Sequence, residues 1–209
     1  MAEFKRLLAQ LCCDGKQEEE VLPFASAAGN DGADGLVFAD GSKNDEEHDY
    51  NIGLIRKMAR AIDIPIYAGG RVKRLEDVKK YLYAGAKGVF LDASVEENVD
   101  LIKEAADRFG SEKIFIRLNQ KDQTKRIPEY AQLGASMALL EDAVLPEAVE
   151  VIHTMDEQMH YYIVSNADEI AKLAEELKAD AAAGFVLASL APENGNYMEK
   201  DYKIAVTEK

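Results

Sequence analysis

The chain has 209 residues, 47% hydrophobic and 31% charged, the balance of an ordinary globular protein of one large or two small domains. Its net charge of −14 argues against nucleic acid as a partner, because phosphate backbones are held by clustered Lys and Arg. No apolar run approaches the ~20 residues of a membrane span, and the charged opening MAEFKRLLAQLCCDGKQEEE lacks a signal peptide's apolar core. A cytoplasmic location without membrane contact is therefore the expectation.

The first apolar run is RLLAQLCC (6–13). A phrase then recurs as GADGLVFAD (32–40), GAKGVFLDA (85–93) and GASMALLED (134–142), with a degraded copy in KADAAAGFVLAS (178–189). Between these copies lie IPIYA (64–68), KIFIRL (113–118) and YYIVS (161–165). Together they make about eight strand candidates.

Helical spacing fills most of the gaps. A first helix is expected around Val21–Ala28, with Pro23 inside it. Ile52, Ile55, Ala59 and Ile62 form a stripe, and Leu75, Val78 and Leu82 form another that Gly85 stops. Val95, Val99, Ile102, Ala106 and Phe109 follow a capping box of Ser94 and Glu97 and end at Gly110. Ile170, Leu173, Ala174 and Leu177 form a later stripe, and Asn196–Lys209 is a weakly amphipathic last segment. Nearly all-apolar strands alternating with helices predict an α/β protein with a parallel sheet under helices. About eight such units close into a (βα)8 TIM barrel, at the low end of its size range of ~200 residues upward. An open, doubly wound sheet is the alternative. No linker divides the chain, so 1–209 is read as a single barrel domain.

The glycine pair in IPIYAGGRVKRLED (64–77) has two readings. Gly69 and Gly70 form either a tight turn from strand to helix or a cradle where backbone N–H groups and a helix N-terminus hold an anion. In GSKNDEEHDYN (41–51), Glu46, Glu47 and Asp49 resemble a metal set, but acids at the first turn of a solvated helix explain them equally well. Cys12 and Cys13 are adjacent and offer neither a disulfide framework nor metal-ligand spacing, and His48, His153 and His160 form no ligand pair. No metal and no cofactor are expected.

The motifs Ile64-Pro65, Gly69-Gly70, Glu76-Asp77, Ala84-Gly85-Ala86 and Phe109-Gly110 combine in one order. Through them the stretch from Gly32 to Leu118 resembles the histidine-biosynthesis barrels, the ribonucleotide isomerase and the cyclase subunit of imidazole glycerol phosphate synthase. The resemblance implies a barrel that binds a ribonucleotide with a phosphate at each end. One phosphate would lie at the turn after strand three and the helix start after strand four, here Gly69, Gly70, Arg71 and Ser94. The other would lie at the turns after strands seven and eight, here Ser165-Asn166-Ala167-Asp168 and Ala188-Ser189-Leu190-Ala191-Pro192, which lack the family's glycines. Aspartates ending strands one and five would do acid–base chemistry.

The sequence departs from that pattern at both acids. The strand-one position falls on Cys12 and the strand-five position on Asn119. Asp14 lies two residues on, a displacement of ~7 Å along a strand. An amide exchanges no proton near neutral pH, and each lost partner costs a factor of ~10²–10⁴. No histidine is placed by sequence to activate Cys12, so a buried, inert thiol is expected there. Asp92 stands where the family has a neutral polar residue. It would repel a phosphate, with Arg71 offsetting it and Ser94 donating a hydrogen bond.

The functional expectation is thus a catalytically degenerate barrel, a scaffold or phosphate-ligand-binding module. It most resembles the N-terminal barrel of bifunctional phosphoribosyl-AMP cyclohydrolase/phosphoribosyl-ATP pyrophosphohydrolase proteins. The chain would then run on past Lys209 into those domains, or form a homodimer. The alternative is an active isomerase or cyclase with rearranged acids, drawn from Asp14, Asp40 and Asp92, with Asp40 facing the barrel mouth.

Overall fold

Eight parallel strands close into a barrel in sequence order in the computed structural model, which describes residues 6–155, 159–166 and 182–188. The strands are β1 (Arg6–Cys13), β2 (Gly35–Asp40), β3 (Ile66–Gly69), β4 (Gly88–Asp92), β5 (Ile114–Leu118), β6 (Met137–Glu141), β7 (His160–Ser165) and β8 (Gly184–Leu187). β8 pairs back onto β1, from Arg6 opposite Gly184 to Ala9 opposite Leu187, and this closure rules out the open sheet. Each apolar run of the sequence supplies one strand of a (βα)8 TIM barrel.

The helices described are α1 (Glu18–Asn30), α2 (Asp45–Ala61), α3 (Leu75–Ala84), α4 (Glu96–Phe109), α5 (Ile127–Gln132) and α6 (Glu147–His153). The expected stripe at 170–177, the Asn196–Lys209 segment and most of the two late turns lie outside the described residues. α1 runs through Pro23, which sits in its second turn and forgoes one intrahelical bond, to Glu19. In α2, Asn44 accepts the Glu47 N–H at 2.9 Å, and Asp45, Glu46 and Glu47 complement the helix dipole. The acidic loop is thus the start of a helix. α3 ends at Gly85, which has a φ of 119°.

α4 corrects one expectation. Its N-cap is Val95, with no side-chain cap, and no Ser94–Glu97 box forms. The Ser94 N–H is already given to Asp92 Oδ1 at 2.9 Å, an Asx-type turn that carries the chain off β4 before the helix starts.

Side chains alternate along each strand. One set packs against the helices, including Leu36, Phe38, Leu91, Ile116 and Leu140. The other fills the barrel: Leu8, Val37, Phe90, Phe115, Leu139, Tyr162 and Val186, with Tyr67 against them. Three glycines make room for three of these rings. A Cβ at Gly69 would lie 2.7 Å from Phe90 Cδ2, one at Gly88 2.7 Å from the Phe115 ring, and one at Gly184 2.8 Å from Tyr162 Cε1. Backbone comes closer still at two of them, where the Cβ would lie 2.2 Å from Phe90 O at Gly69 and 2.0 Å from Arg6 O at Gly184. Burying a large apolar side chain fully contributes about 1.5–3 kcal/mol.

Candidate functional site

The barrel mouth lies where the strands end and the turns begin. Counting by twos from the interior residues shows what faces it. Cys12 continues the inward line from Leu8 through Gln10, and the Gln10 side-chain N–H points at Cys12 Sγ, 3.5 Å away. Asp92 follows Phe90, Arg117 and Asn119 follow Phe115, and Glu141 follows Leu139. Both family acid positions, Cys12 and Asn119, therefore line the mouth. Asn119 Nδ2 approaches Asp92 Oδ2 at 3.4 Å. Arg117 donates through Nε to Glu141 Oε1 at 2.5 Å and lies 5.9 Å from the centre of the Phe90 ring.

Cys12 is exposed, and the buried thiol is Cys13. This reverses the expectation of a buried Cys12. The inward parity of Cys12 places it at the open mouth, whereas Cys13 points outward under α2 and donates to Asn51 Oδ1 at 3.2 Å. Burial, with the charge of Asp40 nearby, pushes the Cys13 thiol up to about 11. A thiol reagent at neutral pH is expected to modify one cysteine in the native protein and two after denaturation. Fast modification of both in the folded state would contradict this placement.

Asp40 is the second correction. It ends β2 with outward parity, following Phe38, and does not face the mouth. Its side chain is fully buried between the barrel and α2–α3 and accepts four hydrogen bonds. The donors are His48 Nδ1, Asn51 Nδ2 and Tyr81 OH, each at 2.7 Å, and the Ser42 N–H at 3.0 Å. Burial alone would raise this carboxyl, but the four donors outweigh it and hold it at about 2. Burial and the Asp40 charge drive the Tyr81 hydroxyl upward. The carboxylate is thus a fully satisfied structural hub. It is withdrawn from acid–base chemistry.

The glycine pair rests on this hub. Gly70 has a φ of 115°, and a Cβ there would lie 2.5 Å from Asp40 O. Gly69 is kept small by Phe90. Packing therefore accounts for both glycines. Arg71 makes no ion pair with Asp92: Nη1 donates to Ser42 O at 3.2 Å and Nη2 to Asp45 Oδ1 at 2.6 Å. The expected offset of Asp92 by Arg71 fails because the acidic start of α2 captures the guanidinium.

The turns share a further feature. Asp92 takes the Ser94 N–H, in the turn expected to meet a phosphate. Asp40 takes Ser42 N–H, and Glu47 takes Lys43 N–H at 2.8 Å. Asp77 takes the Lys73 and Arg74 N–H groups at 3.1 and 3.0 Å. Gln123 Oε1 takes those of Asn119 and Gln120 at 2.9 and 3.1 Å, and Glu20 takes Gln17 N–H at 3.1 Å. From the first turn to the fifth, the chain's own acids and one amide occupy backbone donors of the kind an anion uses. Asp14 is exposed just beyond β1. Among the described residues, no group of three or more His, Cys, Asp or Glu could hold a metal ion, and no helix is long and apolar enough to cross a membrane.

A closed barrel of eight parallel strands in sequence order, alternating with helices, belongs to the (βα)8 class. The profile of the family described as "Histidine biosynthesis protein" matches residues 14–167, and the chain belongs to that family. Similar curated proteins are imidazole glycerol phosphate synthase HisF subunits. That of Endomicrobium trichonymphae is 34% identical over 106 residues, 51% of this chain and 41% of the relative. That of Methanocaldococcus jannaschii is 32% identical over 113 residues, 54% of this chain and 42% of the relative. That of an Exiguobacterium species is 40% identical over 90 residues, 43% of this chain and 35% of the relative. The matched stretch thus spans about two fifths of the length of these relatives.

Proposed function

We propose that this barrel is a non-catalytic member of the histidine-biosynthesis family. It serves as a scaffold or ligand-holding module for pathway domains carried in the same chain or brought by a second copy. The observation that carries this reading is the pair of residues facing the mouth at the family's acid positions, Cys12 and Asn119, neither of which is a carboxylate. Each lost acid–base partner costs a factor of about 10²–10⁴. Asp40, the nearest acid at the end of β2, is locked in the helix layer by its four donors. The occupied backbone donors in the first five turns weigh against tight binding of a bisphosphate. The resemblance to barrels that precede cyclohydrolase and pyrophosphohydrolase domains supplies the scaffold part of the reading.

The test is calorimetric titration with the bisphosphorylated aminoimidazole carboxamide ribonucleotide, followed by an overnight turnover assay on the same samples. The expected result is no turnover. Turnover abolished by Asp92→Asn or Glu141→Gln would overturn the reading and make those two carboxylates the rearranged acids. Binding without turnover would leave it standing as a ligand-holding module. Sequencing the gene beyond Lys209 tests the attachment to further domains.

A further inference from the structure

Gln10 is a polar residue inside an apolar layer. It follows Leu8 on the inward line of β1, stands opposite Val37 of β2, and is 8% exposed. Its amide has one hydrogen-bond partner among the described residues: Nε2 donates to Cys12 Sγ at 3.5 Å, a long bond to a weak acceptor. Its Oε1 has none among them. Turning the amide over exchanges its two ends and still leaves one of them free. A buried polar group without a partner is costly, and an apolar side chain of the same length would avoid that cost. Folding alone therefore gives no reason for an amide here. Cys12, the next inward residue, is exposed, so the amide lies one step below the open mouth.

We infer that Gln10 is a ligand-binding residue on the floor of the mouth and that the group it takes is a primary carboxamide. A side-chain amide holds an acceptor and a donor side by side in one plane. The group that meets both at once is a second amide, with its N–H on Oε1 and its C=O on Nε2. Cys12 Sγ competes weakly for Nε2, so an arriving carbonyl displaces it with little loss. A ketone or a carboxylate brings no donor for Oε1, and a hydroxyl meets only one end. The inference names the group held in the ligand-holding form of the proposed function and rests on that reading.

Propionamide tests it on the full chain, read by the rate at which a thiol reagent modifies the exposed Cys12. Propionate, butanone and 1-propanol, close to it in size, serve as controls. The expected result is saturable protection of Cys12 by propionamide, with none from the controls at equal concentration. Gln10→Met keeps the length of the side chain and removes the amide. It should weaken propionamide about tenfold or more, the effect of losing two neutral hydrogen bonds. It should also leave the thermal midpoint equal or raised, because an unpaired buried group is gone; a structural amide would lower it. The ligand series on the wild type needs no variant to fold. Absence of protection by propionamide, equal protection by a control, or a Gln10→Met protein that binds as the wild type does or melts below it would overturn the inference. Turnover of the ribonucleotide would instead overturn the non-catalytic reading. Failure of propionamide without turnover would leave that reading in its scaffold form.

Discussion

Asp40→Ala is expected to remove about 3–5 kcal/mol of unfolding free energy, the range for stripping one partner from a buried charged network. The substitution leaves His48, Tyr81 and the Ser42 N–H without this acceptor, and leaves Asn51 Nδ2 only Cys13 O at 3.3 Å. Asp40→Asn should fall between this variant and the wild type, because it keeps one oxygen and brings two donors among four. The carboxyl also sets an acid limb. Its pKa is about 2 in the folded protein, against an ordinary value of 3.8. A depressed carboxyl contributes stability that is complete above the unfolded value and is lost as pH falls through the folded one. The loss therefore runs from about pH 4 down to about pH 2 and amounts to roughly 2 kcal/mol. Urea unfolding followed by circular dichroism from pH 7 to pH 2.5 measures both effects. A loss under about 1 kcal/mol at pH 7, or an acid limb that persists unchanged in Asp40→Ala, would remove Asp40 from the centre of this account.

Gly70→Ala is expected to cost roughly 2–5 kcal/mol, from left-handed backbone strain together with overpacking against the backbone of β2. The positive φ of 115° and the 2.5 Å approach to Asp40 O act in the same direction. The measurement separates the two readings of the glycine pair. A turn retained only for an anion would lose affinity on substitution and keep its thermal midpoint. A turn required by packing loses the midpoint. Gly53→Ala supplies the control: Gly53 lies inside α2 with nothing within 4 Å of an added Cβ. That change should stabilise by about 0.5–1 kcal/mol through helix propensity alone. Equal midpoints for Gly70→Ala and wild type would restore the anion reading.

The strands were legible because each is apolar on both faces and bounded by a break, which is how a barrel strand under helices must read. The same two-sided burial hid their orientation. GLVFAD shows no polar–apolar alternation, so nothing in the run itself says that Asp40 points outward. The clue lay one element later, in the face of α2. His48 and Asn51 fall at helical spacing with Ile52, Ile55 and Met58, and an apolar stripe alone passes over its polar members. Arg117 and Glu141 were missed for a related reason. They sit inside the apolar runs IFIRL and MALLE, where a charge looks like an interruption. Counting by twos from Phe115 and Leu139 would have turned both toward the mouth. The vacancy of the two acid positions needed only the strand ends, and Cys12 and Asn119 lie there.

The interlock of Gly69, Gly88 and Gly184 with Phe90, Phe115 and Tyr162 lies one layer beneath the mouth. Barrel closure is therefore settled below the side chains that meet a ligand, while the Asp40 hub secures the helices outside them. A change at Cys12, Asn119 or Glu141 disturbs neither. A lineage that stops needing the reaction is free to lose it one side chain at a time while the chain still folds. The same separation lets a new specificity be written into the mouth by the same small steps.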